Sequence, residues 1–206
     1  NAPILSHQLF KKKVFPVLEE EISTFFVLID NLRYDQWKII NEVITDYFRL
    51  EEEINYFSIL PTATQYARNA IFSGLTPLEM EKRFPKLWQN DEDEGGKNLY
   101  EDKFLDEQIK RLYRKPIKHS YTKVLTLEQG RDVLDNLGNM MRNHRNVVDY
   151  NFVDMLSHAR TDSSMIRELA NDEAAYRSLT LSWFEHSPLL EALKWLSQKK
   201  VRVIIT

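Results

Sequence analysis

The run FFVLI, residues 25 to 29, sets five apolar residues side by side and then stops on Asp30. Aromatic and aliphatic residues without polar alternation mark a strand covered on both faces, as in parallel sheets. Parallel strands need long crossover connections, commonly helices, so such a strand draws the chain toward an α/β fold. The carboxylate that ends the run admits two readings. It is a turn residue where the chain leaves the core, or a group that the strand exists to hold at the edge of the sheet.

The rest of the chain alternates in the same way. A helix is expected over 6 to 22, broken or kinked at Pro16, followed by the strand at 24 to 29 and an amphipathic helix at 34 to 48. INYFSIL, 54 to 60, reads as a second strand ended by Pro61, and a helix follows from Thr64 to Gly74. QNDEDEGGKN, 89 to 98, is a polar loop between that part and helices at 99 to 114 and 127 to 137, with a short strand at 120 to 126. NVVDYNFV, 146 to 153, reads as a third core strand; helices at 162 to 184 and 188 to 198 lead to a last strand at 200 to 206. The expected architecture is one domain, a three-layer αβα sandwich with a mostly parallel central sheet and a helical insertion at about 76 to 140. The chain opens on Asn1 and closes on the strand-like VRVIIT, so the domain is expected to continue at both ends.

Composition narrows the chemistry. The 206 residues are 43% hydrophobic and 12% aromatic, enough for a packed core. A net charge of -3 gives no overall pull toward nucleic acid or an anionic membrane. No cysteine is present, which excludes disulfides and thiolate metal sites and is compatible with the cytoplasm, the expected location. No signal peptide and no bilayer-length apolar run is visible, so membrane insertion is not expected. KRLYRKPIKH, 110 to 119, reads either as a phosphate- or nucleic-acid-binding face or as a solvated helix face.

In open parallel sheets, ligands gather at the carboxyl ends of the strands. Asp30 ends the first strand. PTAT, 61 to 64, follows the second with two hydroxyls, which serve either in chemistry or as a helix N-cap. DMLSH follows the third and sets Asp154 and His158 four residues apart, on one face of a helical turn, where the two can share a metal ion. Oxygen and imidazole donors without sulfur suit zinc or manganese.

This order, an aspartate, a hydroxyl opening a helix, then D-x-x-x-H, resembles the alkaline phosphatase superfamily. PTATQYARNAIFSGLTP resembles the PTxT…TGLxP segment of its nucleotide pyrophosphatase/phosphodiesterase branch. VLIDNLRYDQW with PTATQYARNAIFSG is more similar still to the PglZ domain, above all that of PorX-type response regulators. The superfamily carries a further Asp-His pair after another core strand and a third metal-binding His. VRVIIT resembles the strand that delivers that pair, so half of the metal site is expected past Thr206, and the chain as it stands is expected to be inactive.

The resemblance implies two divalent metal ions, zinc above all, clamping an in-line displacement at phosphorus. Asp154 and His158 would hold one ion; Asp30 and Thr64 would hold the other. Thr64, in preference to Thr62, would be the nucleophile, and Arg68 one turn later would steady a phosphate oxygen or form a surface ion pair. Arg33 and Asp35 are expected to form a salt bridge at the helix start, and Asp149 and Asn151 are minor candidates. The implied substrate is a phosphodiester, a nucleotide or a short oligonucleotide. The implied partners are an upstream receiver domain, secretion-regulatory proteins (type IX) and a second copy in a homodimer. The alternative is a non-catalytic output module that dimerises or binds partner proteins.

Overall fold

The computed structural model describes residues 2–88, 97–113 and 117–206. They divide into two compact units: unit 1, Asn1–Glu19 with Glu52–Ile117, and unit 2, Glu20–Glu51 with Lys118–Thr206. Most of the polar loop expected at 89 to 98 lies outside the described residues.

Unit 2 holds the sheet. Strands β1 (Ser23–Ile29), β2 (His119–Val124), β3 (Arg145–Tyr150) and β4 (Val201–Ile205) run parallel in the order β2-β3-β1-β4. The apolar run therefore lies in an interior strand, buried along its whole length, as its lack of alternation requires. Phe25, Val27 and Ile29 share a face with Val148 and Tyr150 of β3, Val124 of β2, and Val201, Val203 and Ile205 of β4. That face packs against Ile40 and Ile44 of α1 (Tyr34–Ile44), Val133 and Leu137 of α5 (Leu127–Met140), Phe184 of α8 (Glu173–Glu185) and Leu193 of α9 (Pro188–Ser197). The α/β class with a parallel central sheet flanked by helices is as expected for an alkaline-phosphatase-like fold.

Two helical boundaries in unit 2 differ from the periodicity reading. β3 stops at Tyr150, and Phe152 and Val153 turn instead into α6 (Phe152–Asp162). The helix expected over 162 to 184 divides into α7 (Ser164–Leu169) and α8, because the Asp172 side chain accepts the Ala175 N–H at 2.7 Å and starts a new helix.

Unit 1 is helical. Short helical turns run from Ser6 to Val17 and end there, with Pro16 in the last of them, so the helix expected to Ile22 stops early. α2 (Thr64–Ser73), α3 (Pro77–Arg83) and α4 (Glu101–Gln108) follow. The strand expected at 54 to 60 does not form. Phe57 makes a single bridge to Leu5, donating to Ile4 O at 2.8 Å and accepting from Ser6 N at 2.9 Å. An apolar run ended by proline is not enough for a strand when it gains only one bridge to a neighbour, and Phe57 and Leu60 are 62% and 85% exposed.

Candidate functional site

Asp30 follows β1 directly, and its N–H donates to Tyr150 O at 2.8 Å, which fixes it at the carboxyl end of the sheet beside the end of β3. It is buried, and the chain turns sharply after it: Asn31 takes a left-handed φ of 62°, a conformation that Asn tolerates better than most residues. The turn feeds α1, whose first residues carry the expected salt bridge. Arg33 donates to both Asp35 oxygens at 3.0 and 2.7 Å, and Asp35 also accepts from Arg177 of α8 at 3.1 Å. Arg33, first, and Arg177 hold the Asp35 carboxyl below its ordinary range.

At the end of β3, Asn151 N donates to Val124 O and α6 begins. Asp154 lies in the first turn of α6, where a carboxylate also complements the positive end of the helix. One turn on, His158 Nε2 lies 3.6 Å from Asp154 Oδ2, so the four-residue spacing does bring the two donors onto one face. Asp154 is largely covered, whereas the His158 side chain is 73% exposed, open to a cation from solvent. An oxygen and an imidazole nitrogen at this separation fit part of a zinc or manganese shell. Among the described residues, no three His, Cys, Asp or Glu side chains come together as a metal-binding group, so Asp30 does not join the pair. Asp149, a minor candidate, is buried inside β3 and accepts from the Tyr121 hydroxyl at 3.2 Å.

Thr64 belongs to unit 1. It is the first residue of α2, half-buried, and Ala63 occupies the N-cap position. Neither Thr62 nor Thr64 caps the helix with its side chain, so the capping reading of PTAT does not hold. The Thr64 hydroxyl has no hydrogen-bond partner among the described residues and stands at the positive end of a ten-residue helix. Arg68, one turn later, is 4% exposed, and its Nε donates to Glu101 of α4, itself 1% exposed. It does make an ion pair, but in the interior of unit 1, where it ties α2 to α4.

The sequence reading missed how α6 is held. Arg160 of α6 and Arg33 both reach Glu173 and the ring of Tyr176 on α8. These partners are scattered along the chain, and no local pattern announces them. Lys110, in the basic stretch, pairs with Glu107 at 2.8 Å, and Arg111 turns inward to Ser73 O, while Arg114 to Pro116 lie outside the described residues. Among the described residues, no helix is long and apolar enough to cross a membrane.

The protein family described as the BREX system PglZ alkaline phosphatase-like domain matches residues 9–206. A search of curated proteins gave no match.

Proposed function

The chain belongs to the PglZ family of alkaline phosphatase-like domains, and we propose on that premise that it is a phosphoesterase domain with Thr64 as nucleophile. The observation that carries the assignment is the state of Thr64: a hydroxyl without a hydrogen-bond partner among the described residues, at a helix N-terminus whose backbone N–H groups favour an anion. Attack of its Oγ on phosphorus forms a phosphothreonine and releases an alcohol, which takes the hydroxyl proton. Water then splits the phosphothreonine and restores the threonine. Asp154 and His158 would hold one divalent metal and Asp30 with Thr64 a second. When bound, such an ion supplies Lewis acidity that makes the alkoxide accessible and offsets phosphate charge. Arg68 serves by holding α2 in place through Glu101 rather than by reaching the ester.

The substrate we propose is a phosphodiester of nucleotide or short oligonucleotide type, and the metal is zinc. On this reading the domain would be the effector of a PorX-type response regulator, with a receiver domain and secretion-regulatory proteins as partners and a homodimer as assembly. The support is the likeness of VLIDNLRYDQW and PTATQYARNAIFSG to that group.

The test is hydrolysis of bis-nitrophenyl phosphate by the natural full-length protein, with zinc binding followed by calorimetry. Zinc-dependent turnover that vanishes in Thr64→Ala while zinc still binds is the expected result. Undiminished turnover in Thr64→Ala sinks the nucleophile. Absence of both zinc binding and turnover makes the partner-binding output module the better account.

A further inference from the structure

Unit 1 contains a cavity of about 390 Å³ at the carboxyl end of α2, within the range of small-molecule sites. Its wall carries Lys11 and His7 from the first helical turns, Arg83 from the end of α3, and Arg111 from the turn after α4. Leu75 and Leu112 add an apolar side. No carboxylate is among the described residues that line it.

Three cations around one cavity repel one another unless something offsets their charge. Lys11 and Arg83 are exposed and have no ion-pair partner among the described residues. Burial, and next the charge of Arg83, push the Arg111 guanidinium below its ordinary pKa. Glu79 and Glu107 offset part of this charge from outside the cavity wall, acting on Arg111, and Glu79 also on Arg83 and His7. But Glu79 is turned to the Thr76 N–H and hydroxyl at 2.9 and 2.8 Å, and Glu107 to Lys110 at 2.8 Å. Two nitrogens of the lining residues, Arg111 Nη1 and His7 Nδ1, are closed off from solvent with no hydrogen-bond partner among the described residues. Buried donors and acceptors in that state are costly and uncommon.

A helix carboxyl end normally repels anions, but here its carbonyls are occupied. Gly74 N donates to Ala70 O, the Gln108 amide donates to Ile71 O and Phe72 O at 2.8 and 2.7 Å, and Arg111 donates to Ser73 O. One arm of Arg111 thus caps the helix, and Nη1 stays enclosed, so the residue contributes charge to the cavity wall.

We propose that this cavity binds a small phosphorylated molecule, its phosphate held by Lys11 and Arg83 with the Arg111 charge behind them, and its body lying along Leu75 and Leu112. A phosphate monoester brings several acceptor oxygens and negative charge to a wall that itself carries no carboxylate among the described residues. The site is separate from Thr64, which lies at the opposite end of α2, about 15 Å away for a ten-residue helix. It stands whether or not Thr64 is a nucleophile.

The experiment is calorimetric titration of this chain with AMP, inorganic phosphate and adenosine, at low salt with EDTA present. AMP and phosphate bind and adenosine does not. The double variant Lys11→Gln/Arg83→Gln weakens AMP binding by about tenfold or more at unchanged thermal unfolding, since neither side chain holds another part of the fold. Thr64→Ala leaves binding as it is. No saturable binding of AMP or phosphate at millimolar concentration overturns the proposal. So does equal affinity in the double variant, or loss of binding in Thr64→Ala, which moves the ligand to the other end of the helix.

Discussion

Arg33 and Arg160 share one aromatic ring: their guanidinium carbons lie 5.3 and 4.8 Å from the centroid of Tyr176. Both also bind the Glu173 carboxylate, at 2.5 and 3.0 Å, and Arg160, first, and Arg33 hold that carboxyl below its ordinary range. Arg33 sits three residues past Asp30, and Arg160 two past His158. The turn that ends β1 and the helix that carries the Asp154–His158 pair are therefore fastened to the same spot on α8.

The ring of Tyr176, rather than its hydroxyl, is what the two cations use. Tyr176 is buried, so Tyr176→Leu is expected to cost more than about 2 kcal/mol in urea unfolding, the two cation–π contacts together with the space the ring leaves behind. Tyr176→Phe keeps the ring and should cost much less. Equal losses in the two variants would show that the aromatic face is not the attachment.

Arg68 and Glu101 form a buried ion pair, and removing one partner strands the other charge away from water. Arg68→Met should lower the unfolding free energy by about 3–5 kcal/mol. The double variant Arg68→Met/Glu101→Leu should regain much of that. A single variant as stable as the parent would place the pair outside the packed interior.

His158→Ala tests the ligand assignment with little disturbance of the fold. The side chain is largely exposed and its contact with Asp154 is an open i,i+4 pair, so stability should shift by less than about 1 kcal/mol. Zinc affinity in the full-length protein should fall by more than about tenfold. Unchanged affinity would remove His158 from the ligand set.

His7 is held below its ordinary pKa, chiefly by burial, with Glu79 opposing and Lys12 adding to the effect. The unfolded chain therefore takes up the proton first, near pH 6.5. This contribution is absent above that pH and lowers stability as pH falls from there toward the depressed folded value. Urea titrations between pH 7.5 and 5, on the order of the histidine range, should show this decline in the parent and a flatter profile in His7→Gln. Parallel profiles would assign the decline elsewhere.

Gly74 takes a left-handed φ of 64°, and a Cβ there would run into the Gln108 amide that caps Ile71 and Phe72. Gly74→Ala should destabilise unit 1 by about 1–3 kcal/mol, read from the same unfolding curves. A neutral result would mean that the end of α2 can relax without its cap.

Local chemistry made much of this legible. FFVLI announced an interior parallel strand, Gly74 announced a helix end, and D-x-x-x-H gave two donors on one face, because each depends on neighbours within a few residues. INYFSIL misled because a strand exists only with partners, and none is written into seven residues. Arg68 read either as a phosphate contact or as a surface ion pair, and Glu101, far along the chain, holds it inside instead. The charged residues gathered on Tyr176 and around the cavity of unit 1 belong to the same class: long-range meetings that periodicity does not encode.

The order β2-β3-β1-β4 also dictates a timetable. During synthesis β1 is made well before both of its neighbours, β3 and β4. The described segments of unit 1 have all been made by Ile117, whereas β4 of unit 2 is complete only at Ile205. Folding therefore proceeds with the described segments of unit 1 made while an apolar strand is still unpaired, a species open to aggregation or chaperone capture. Nascent chains arrested with residue 117 clear of the ribosome should already protect unit 1 from protease and leave residues 23 to 29 cleavable.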